Sequence, residues 1–380
     1  QQPSTNNYQL KVCGLTKINQ IQELISLNVD FLGFIFYEKS PRFVLNHLSL
    51  EEISEINHLL VPENNIVIVT HYNPDGDAIG SSLGLKHYLK TKGIDAIVIT
   101  PNDFPKFLKW MPEAKKILIA DYKRKMAGEA IYNADVIFCL DFNSPSRIGI
   151  LGDWVTKSRA KKVLIDHHQM PEQFDYVYSD TTVPATCQMV YHFIQANNDE
   201  KLVNLDIAQC LYTGIMTDTG GFRFRSTSAT THRIVADLIE KGADPAVITS
   251  NTWDTNTISR LHLLSLVLSR IELTKEGKVA ILWLKRSELK EYGFEKGDTE
   301  GFVNYGLSVL GTKMAVFFME DLYEDFIKIS FRSKDSVDTN QFARKHFNGG
   351  GHINASGGKY YKSIEETIED FKEKIEAEDF

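Results

Sequence analysis

The sequence contains few cysteines, which argues against a secreted protein stabilised by disulfides. Four occur in 380 residues, with no paired spacing: Cys13, Cys139, Cys187 and Cys210. Closely spaced cysteines are typical of disulfide frameworks and zinc sites. These four are therefore expected to be free thiols in a reducing compartment, and the protein to be cytoplasmic.

Long apolar runs and an excess of basic residues are also lacking. No run approaches the ~18 apolar residues of a membrane-spanning helix, so no membrane partner is expected. Lys and Arg number 42 against 50 Asp and Glu, which gives a net charge of -8. Long nucleic-acid duplexes are bound by basic surfaces, so this balance argues against them. A short anionic ligand held by metal ions remains compatible.

The remaining composition is that of a globular protein long enough for two or three domains. From residue 66, apolar strand patterns at 66–70, 96–100, 116–119, 136–140 and 162–165 alternate with helical patterns. This alternation predicts an α/β fold with a doubly wound, mainly parallel sheet. After residue 180 helices are predicted to about residue 269. A smaller α/β domain follows, with strands predicted at 271–274, 279–284, 313–319 and 326–331.

Residues 66–84 combine a buried strand, a turn and the start of a helix predicted over 78–90. His71, Asp75 and Asp77 therefore lie at the carboxyl end of the strand, where open α/β sheets bind ligands. One imidazole and two carboxylates this close repel one another unless a cation holds them. Mixed nitrogen and oxygen ligands suit Mn²⁺ and then Mg²⁺. The alternative is that the aspartates only cap the helix.

Later strand ends repeat this pattern. Asp141 follows the strand at 136–140, and Asp166, His167 and His168 end or follow the strand at 162–165. Parallel strands direct their carboxyl ends to one edge of the sheet, so these side chains are expected to converge there with His71, Asp75 and Asp77. A single aspartate after a strand is usually a helix cap. Three such strand ends in order, together with Asp218 after a helix, favour a shared site.

Taken together these motifs resemble those of the DHH phosphoesterase superfamily. The four motifs are His71-x-x-x-Asp75-x-Asp77, Asp141, Asp166-His167-His168 and Asp218-Thr219-Gly220. A fifth, from Gly349 to Gly357, resembles the signature of the associated DHHA1 domain. The resemblance covers about residues 50–380. It implies a DHH catalytic domain over 48–255, a linker over 256–272 and a DHHA1 substrate-binding domain over 273–380.

The resemblance also implies a site with two divalent metal ions. Mn²⁺ is expected first, with Mg²⁺ or Co²⁺ as alternatives. One ion would be bound by His71, Asp75, Asp141 and Asp218, and the other by Asp77, Asp141, His167 and Asp218. Two ions about 4 Å apart need bridging anions, here Asp141 and Asp218, and can deprotonate a water held between them. His168 would face the substrate as a catalytic group, and Asp166 would orient the histidine pair.

Candidate substrate-binding residues lie in the second domain. The glycine turn can direct backbone N–H groups and neighbouring side chains at an anion; its members are Gly349, Gly350, Gly351, His352, Asn354 and Ser356. Arg332 matches a substrate-binding arginine position of the family. The alternatives are an ordinary tight turn and a solvated charge. Weaker candidates are Arg223 and Arg225 for phosphate, and Phe222 and Phe347 for base stacking, although such aromatics more often belong to the core.

Residues 8–47 resemble a different family, phosphoribosylanthranilate isomerase. The resemblance rests on the segments 11–16 (KVCGLT) and 38–44 (EKSPRFV). In that family the cysteine at the Cys13 position is a catalytic base on a (β/α)₈ barrel. Such a barrel needs about 200 residues or more, and the resemblance stops near residue 44. Residues 1–47 are therefore expected to form a β-α-β appendage that is inert or used for docking.

The expected function is hydrolysis of short oligoribonucleotides or of 3′-phosphoadenosine 5′-phosphate (PAP) by a metal-activated water. A cleft between two domains would exclude long duplexes, and a homodimer is compatible. Within the same chemistry, a linear or cyclic di-adenylate phosphodiesterase remains an alternative, followed by pyrophosphate or polyphosphate hydrolysis. Alternatives of another class are a non-catalytic nucleotide-binding protein and an isomerase.

Overall fold

The structure, a computed structural model, describes residues 11–13, 31–33 and 49–378. It divides into two units, Gln1–Thr252 and Trp253–Phe380. Residues 256–272, expected as a linker, contain the helix Ile258–Ser269; the expected domain bounds remain a prediction. Within the described ranges, no helix is both long enough and apolar enough to cross a membrane.

Little of the isomerase-like segment falls within the described residues. Strands β1 (Lys11–Cys13) and β2 (Phe31–Gly33) pair in parallel, with Cys13 opposite Gly33. The helix expected between them, and the rest of residues 1–47, lie outside the described residues. The β-α-β appendage therefore remains a prediction.

The first unit is built on a six-stranded parallel sheet in the order β5-β4-β3-β6-β7-β8. Its strands are β3 (Ile66–Thr70), β4 (Ala96–Thr100), β5 (Leu118–Ile119), β6 (Val136–Leu140), β7 (Lys161–Asp166) and β8 (Tyr176–Ser179). The chain moves outward from β3 in one direction and from β6 in the other. The boundary between β3 and β6 is therefore the switch point where such sheets bind ligands. The predicted doubly wound, parallel sheet is confirmed.

Helices cover both faces of this sheet. They are α1 (Leu50–Leu59), α2 (Gly76–Thr91), α3 (Arg124–Tyr132), α4 (Ile150–Lys157), α5 (Thr186–Ala196), α6 (Leu205–Asp218), α7 (Ala229–Glu240) and α8 (Pro245–Trp253). Alternate residues of β3 supply two cores: Ile66 and Ile68 enter one, and Val67 and Val69 the other. Burial on both faces explains why β3 is apolar throughout rather than alternating.

Helices α2 and α6 lie unusually close together. Gly80 of α2 faces the backbone of α6, and a Cβ atom there would stand 2.6 Å from the carbonyl oxygen of Cys210. Gly214 of α6 faces Asp77 in the same way, at 2.9 Å from its Oδ1. Only glycine permits this approach. The close packing brings the start of α2, with Asp77, beside the end of α6, with Asp218.

The second unit contains a mixed six-stranded sheet in the order β13-β14-β12-β11-β10-β9. Its strands are β9 (Glu272–Thr274), β10 (Val279–Leu284), β11 (Met314–Glu320), β12 (Ile327–Ser333), β13 (Gly350–His352) and β14 (Ala355–Tyr360). Its helices are α9 (Ile258–Ser269), α10 (Arg286–Glu291), α11 (Phe302–Leu307), α12 (Thr339–His346) and α13 (Ile364–Glu376). Phe347 is fully buried against Phe331 and Phe371, so it belongs to the core of this unit.

Candidate metal centre

The loop after β3 places the first motif at the carboxyl edge of the sheet. Asp75 caps α2, since its Oδ1 accepts hydrogen bonds from the backbone N–H groups of Asp77 and Ala78, both at 3.1 Å. Its Oδ2 lies 3.8 Å from His71 Nε2. The two interpretations made from the sequence are therefore compatible. One carboxylate oxygen caps the helix while the other faces the imidazole.

Asp141 stands between two histidines. It follows β6 with a left-handed backbone (φ 64°), and only 2% of the residue is exposed. Its Oδ2 lies 3.5 Å from His71 Nε2, and its Oδ1 lies 3.4 Å from His167 Nε2. Each oxygen thus faces a different imidazole nitrogen, which is the arrangement of a carboxylate able to bridge two cations.

A second group of ligand atoms gathers around His167. Its Nε2 lies 3.4 Å from Asp218 Oδ2 and 3.8 Å from Asp77 Oδ2. One ligand atom from each of these three residues lies within 4.8 Å of the others, and the same holds for His71, Asp75 and Asp141. The structure therefore brings the six residues predicted to bind metal into two adjoining sets. A bridging role for Asp218 remains a prediction.

Backbone carbonyl groups fix the tautomers of both histidines. His71 Nδ1 lies 2.9 Å from the carbonyl oxygen of Tyr72, and His167 Nδ1 lies 3.1 Å from that of Val183. A carbonyl oxygen can only accept, so each Nδ1 carries a hydrogen and donates it. With Nδ1 donating in this way, Nε2 is the ring nitrogen that each histidine offers a metal ion in its neutral form.

His168 is hydrogen-bonded to Asp166. The Nδ1–H of His168 donates to Asp166 Oδ1 at 2.7 Å. Asp166 is fully buried, and its Oδ2 has no hydrogen-bond partner among the described residues. Burial lowers the pKa of His168, although the neighbouring Asp166 opposes this effect. The roles predicted for His168 and Asp166 remain predictions.

The carboxylates draw protons onto the buried histidines. Burial alone would lower the pKa of His71, but hydrogen bonds to two carboxylates outweigh it and raise the pKa to about 10. The same balance raises the pKa of His167 well above its ordinary value. Burial, reinforced by the negative charge of Asp141, raises the pKa of Asp77. Such a concentration of negative charge favours cations.

The start of α5 supports two of the carboxylates, a contribution absent from the sequence interpretation. Asp77 accepts hydrogen bonds from the backbone N–H groups of Thr186 at 2.6 Å and Cys187 at 2.8 Å. The Thr186 hydroxyl donates to Asp141 Oδ1 at 3.0 Å. A helix amino terminus stabilises an anion in this position. The sequence predicts helices from about residue 180, but no local pattern indicates that the first turn of α5 faces Asp77.

The donor set fits divalent metal ions. The ligand atoms are imidazole nitrogens and carboxylate oxygens. The neighbouring thiol of Cys187 is not among them, and it donates a hydrogen bond to the carbonyl oxygen of Asp77 at 3.6 Å. A mixed N/O set suits Mn²⁺, and its oxygens suit Mg²⁺. The first ion would be bound by His71, Asp75 and Asp141, and the second by Asp77, His167 and Asp218 with Asp141 shared.

The candidate substrate residues of the second unit lie on and beside a hairpin. Gly351 in β13 has a φ of 147° that side chains disfavour, and its N–H donates to Asn340 Oδ1. The Asn354 amide donates to Ser333 Oγ at 2.9 Å, and the Ser356 hydroxyl donates to the carbonyl oxygen of Thr339 at 2.8 Å. The Asn354 and Ser356 side chains therefore brace the hairpin.

The remaining candidates occupy different settings. Arg332 lies on β12 and donates from Nη1 to the carbonyl oxygen of Phe331, and His352 ends β13. Gly349 and Gly350 precede it in the chain. Arg223 donates from Nε to the carbonyl oxygen of Gly220, and Phe222 packs against Tyr212. The exposed Arg225 lies three residues beyond Phe222. Their proposed contacts with substrate remain predictions.

Comparison with known proteins identifies the family. Residues 65–215 match the DHH family, N-terminal domain, and residues 276–378 match the DHHA1 domain. The bifunctional oligoribonuclease and PAP phosphatase NrnA of Thermus thermophilus is 33% identical over 297 residues, covering 78% of this chain and 84% of that protein. The NrnA of Bacillus subtilis is 29% identical over 304 residues, covering 78% and 90%. The chain belongs to the DHH family of phosphoesterases.

A solved structure agrees with this assignment. An exopolyphosphatase-related protein from Bacteroides fragilis has a TM-score of 0.83 and 40% sequence identity, covering 86% of this chain and 96% of that one. The predicted DHH and DHHA1 resemblance and the predicted fold class are confirmed.

Proposed function

We propose that this phosphoesterase hydrolyses short oligoribonucleotides and PAP at a site with two divalent metal ions. The observation that carries the proposal is Asp141, whose two oxygens face His71 and His167 at 3.5 and 3.4 Å. Relatives named for both activities support the choice of substrates. Mn²⁺ is the proposed ion because the donors mix imidazole and carboxylate, with Mg²⁺ and Co²⁺ as alternatives for the assay.

The metal ions and the protein residues contribute different chemistry. When bound, the two ions would lower the pKa of a water between them and offset charge on the phosphoryl oxygens. The chain orients its own ligands through Tyr72, Val183 and the first turn of α5. His168, held through Nδ1 by Asp166, can exchange a proton at Nε2 with the oxygen of the leaving group.

The second unit supplies the proposed recognition of substrate. Arg332, His352 and the glycine turn at 349–351 offer a guanidinium, an imidazole and backbone N–H groups, all suited to phosphate. Substitution of Arg332 by alanine is therefore expected to raise KM more than it lowers kcat. We further propose that the protein acts on short single strands rather than on long duplexes. It would form a homodimer, which sedimentation can test, and it would be located in the cytoplasm.

Polyphosphate or pyrophosphate hydrolysis is a second candidate. The observation in its favour is the likeness to the exopolyphosphatase-related protein from Bacteroides fragilis. The linear and cyclic di-adenylate alternative uses the same metal chemistry and differs only in substrate. A panel of substrates separates these activities: the dinucleotide pApA, PAP, cyclic di-AMP, pyrophosphate and a short polyphosphate.

The deciding experiment measures hydrolysis of this panel with Mn²⁺ for the wild-type protein and Asp141→Ala. Both ions lose a ligand in the variant, so its rate should fall by about 1,000-fold or more. Asp153→Ala is the matched control, because Asp153 is an exposed aspartate on α4; its rate should equal that of wild type. Highest activity on pApA and PAP supports the proposal. If wild type hydrolyses none of the panel, a non-catalytic nucleotide-binding protein becomes the better interpretation.

A further inference from the structure

The backbone of Arg147 links the two loops that carry His71 and Asp141. It lies in the short 3₁₀ helix Pro145–Ile148, six residues after Asp141. Its N–H donates to the carbonyl oxygen of Ser144 at 3.0 Å, and its own carbonyl oxygen accepts from the N–H of Tyr72 at 2.8 Å. Tyr72 directly follows His71. The backbone of Arg147 therefore connects the Asp141 loop to the His71 loop.

The Arg147 side chain carries a charge that has no counterion among the described residues. The residue is half-buried, and its guanidinium takes part in no ion pair or hydrogen bond within residues 49–378 or the two short described strands. Its backbone nevertheless reaches the site, because its carbonyl oxygen accepts from the N–H of Tyr72, the residue that follows His71. A guanidinium with no counterion among the described residues is suited to an anionic ligand, because arginine forms strong charge-assisted hydrogen bonds with phosphate.

The charge of the site supports the same conclusion. Five carboxylates surround the proposed metal positions, and their combined charge exceeds that of two divalent ions by one: Asp75, Asp77, Asp141, Asp166 and Asp218. A phosphoryl group would therefore approach a site that remains negative when both ions are bound. An additional cation outside the ligand set would offset this repulsion. Arginine suits the role because its planar fork can donate two parallel hydrogen bonds to phosphate oxygens.

We propose that Arg147 binds the non-bridging oxygens of the phosphoryl group that this site hydrolyses. The proposal rests on the proposed function, and it adds a substrate-binding residue from the first unit. The backbone bonds of Arg147 position the guanidinium and do not depend on the side chain. Removal of the side chain should therefore leave the turn and the metal ligands in place.

The activity test compares Arg147→Ala, Arg147→Lys and a matched control. Charge-assisted hydrogen bonds to phosphate are strong, so Arg147→Ala should lower kcat/KM for pApA by about 10- to 100-fold. Arg147→Lys keeps the charge but loses the fork and should recover only part of the activity. Added guanidinium chloride at millimolar concentration should partly rescue Arg147→Ala. Arg159→Ala removes an exposed arginine before β7, at the end of that strand opposite His167, and should match wild type.

A binding measurement separates this inference from the proposed function. Calorimetry with AMP on the Mn²⁺-loaded proteins should show affinity about 10-fold or more weaker for Arg147→Ala, with Mn²⁺ affinity and thermal stability unchanged. If the wild-type protein binds AMP in this way but hydrolyses none of the substrate panel, the proposed function is overturned while Arg147 remains a phosphate ligand. Equal AMP affinity in Arg147→Ala and wild type overturns the role of Arg147. Loss of Mn²⁺ binding or of stability in the variant assigns it a structural role instead.

Discussion

At the scale of single residues, the two oxygens of each of three carboxylates make different contacts. Asp75 caps α2 with Oδ1 and faces His71 with Oδ2. Asp141 faces one histidine with each oxygen. Asp77 accepts a backbone N–H of α5 at both oxygens. Each side chain is thereby held in one orientation before a cation binds, so little ordering is left for the metal to impose.

Asp166 is expected to act on the rate through His168 rather than through metal binding. Its Oδ1 accepts the Nδ1–H of His168 at 2.7 Å, and an asparagine can offer an amide N–H at that point and favour the wrong tautomer. Asp166→Asn should therefore lower kcat by about 10- to 100-fold with nearly unchanged Mn²⁺ affinity. Steady-state kinetics and calorimetry measure the two quantities. A loss of Mn²⁺ affinity equal to that of Asp141→Ala would instead identify Asp166 as a metal ligand.

Residues whose position follows from a strand end were predictable from the sequence. His71, Asp141 and His167 each follow an apolar strand, and parallel strands direct their ends to one edge. Thr186 and Arg147 were not predicted. Thr186 contacts Asp141 from the first turn of α5, and Arg147 lies in a turn that a single backbone hydrogen bond to Tyr72 joins to a distant segment. Neither contact has a local pattern.

At the scale of elements, the contact between α2 and α6 sets the distance between two of the proposed metal ligands. Asp77 lies in the first turn of α2 and Asp218 at the end of α6. Gly214 allows the two helices to touch there, because a Cβ atom would meet Cys187 Sγ and stand 2.9 Å from Asp77 Oδ1. The packing of two helices thus determines the position of both carboxylates. A small displacement of the helices at Gly214 would therefore move Asp77.

Gly214→Ala should therefore lower both stability and metal affinity. Overpacking at a close contact costs about 1–3 kcal/mol of unfolding free energy, and the Cβ would displace Asp77. Gly128→Ala is the matched control, since a Cβ there would lie 3.8 Å from the nearest atom of Trp154, an ordinary contact. That variant should gain about 0.5–1 kcal/mol from helix propensity. Urea unfolding and Mn²⁺ titration measure both effects, and equal stability of the two variants would contradict the packing argument.

Long elements with a clear apolar pattern were predicted closely, and short ones supported by tertiary pairing were not. The bounds of β3, β6 and β10 coincide with the predicted strands. Strand β8 was not predicted. It has four residues and lies at the edge of its sheet, where its side chains are only partly buried and show no clear apolar pattern. The hairpin of β13 and β14 is rich in glycine, which disfavours strands. It forms because β12 supplies a partner along its length.

At the scale of the whole molecule, protons and metal ions compete for the same negative site. The raised pKa of His71, about 10 against an ordinary 6.5, concerns the protein without metal. Protonated His71 stabilises that form fully below about pH 6.5, and this contribution is lost as the pH rises towards 10. A metal ion must displace the same proton, so its binding strengthens over the same window.

The stabilisation produced by Mn²⁺ should therefore increase with pH. At a free concentration about 100 times its Kd, Mn²⁺ would add about 2.7 kcal/mol, or about 5–10 °C in Tm for a domain of this size. Thermal unfolding with Mn²⁺ and with EDTA, between about pH 6 and 8.5, should show a gap in Tm that widens as the pH rises. Asp141→Ala should show almost no gap at any pH. A gap in the wild-type protein that is constant, or that narrows with pH, would show that protons on the histidines do not oppose metal binding.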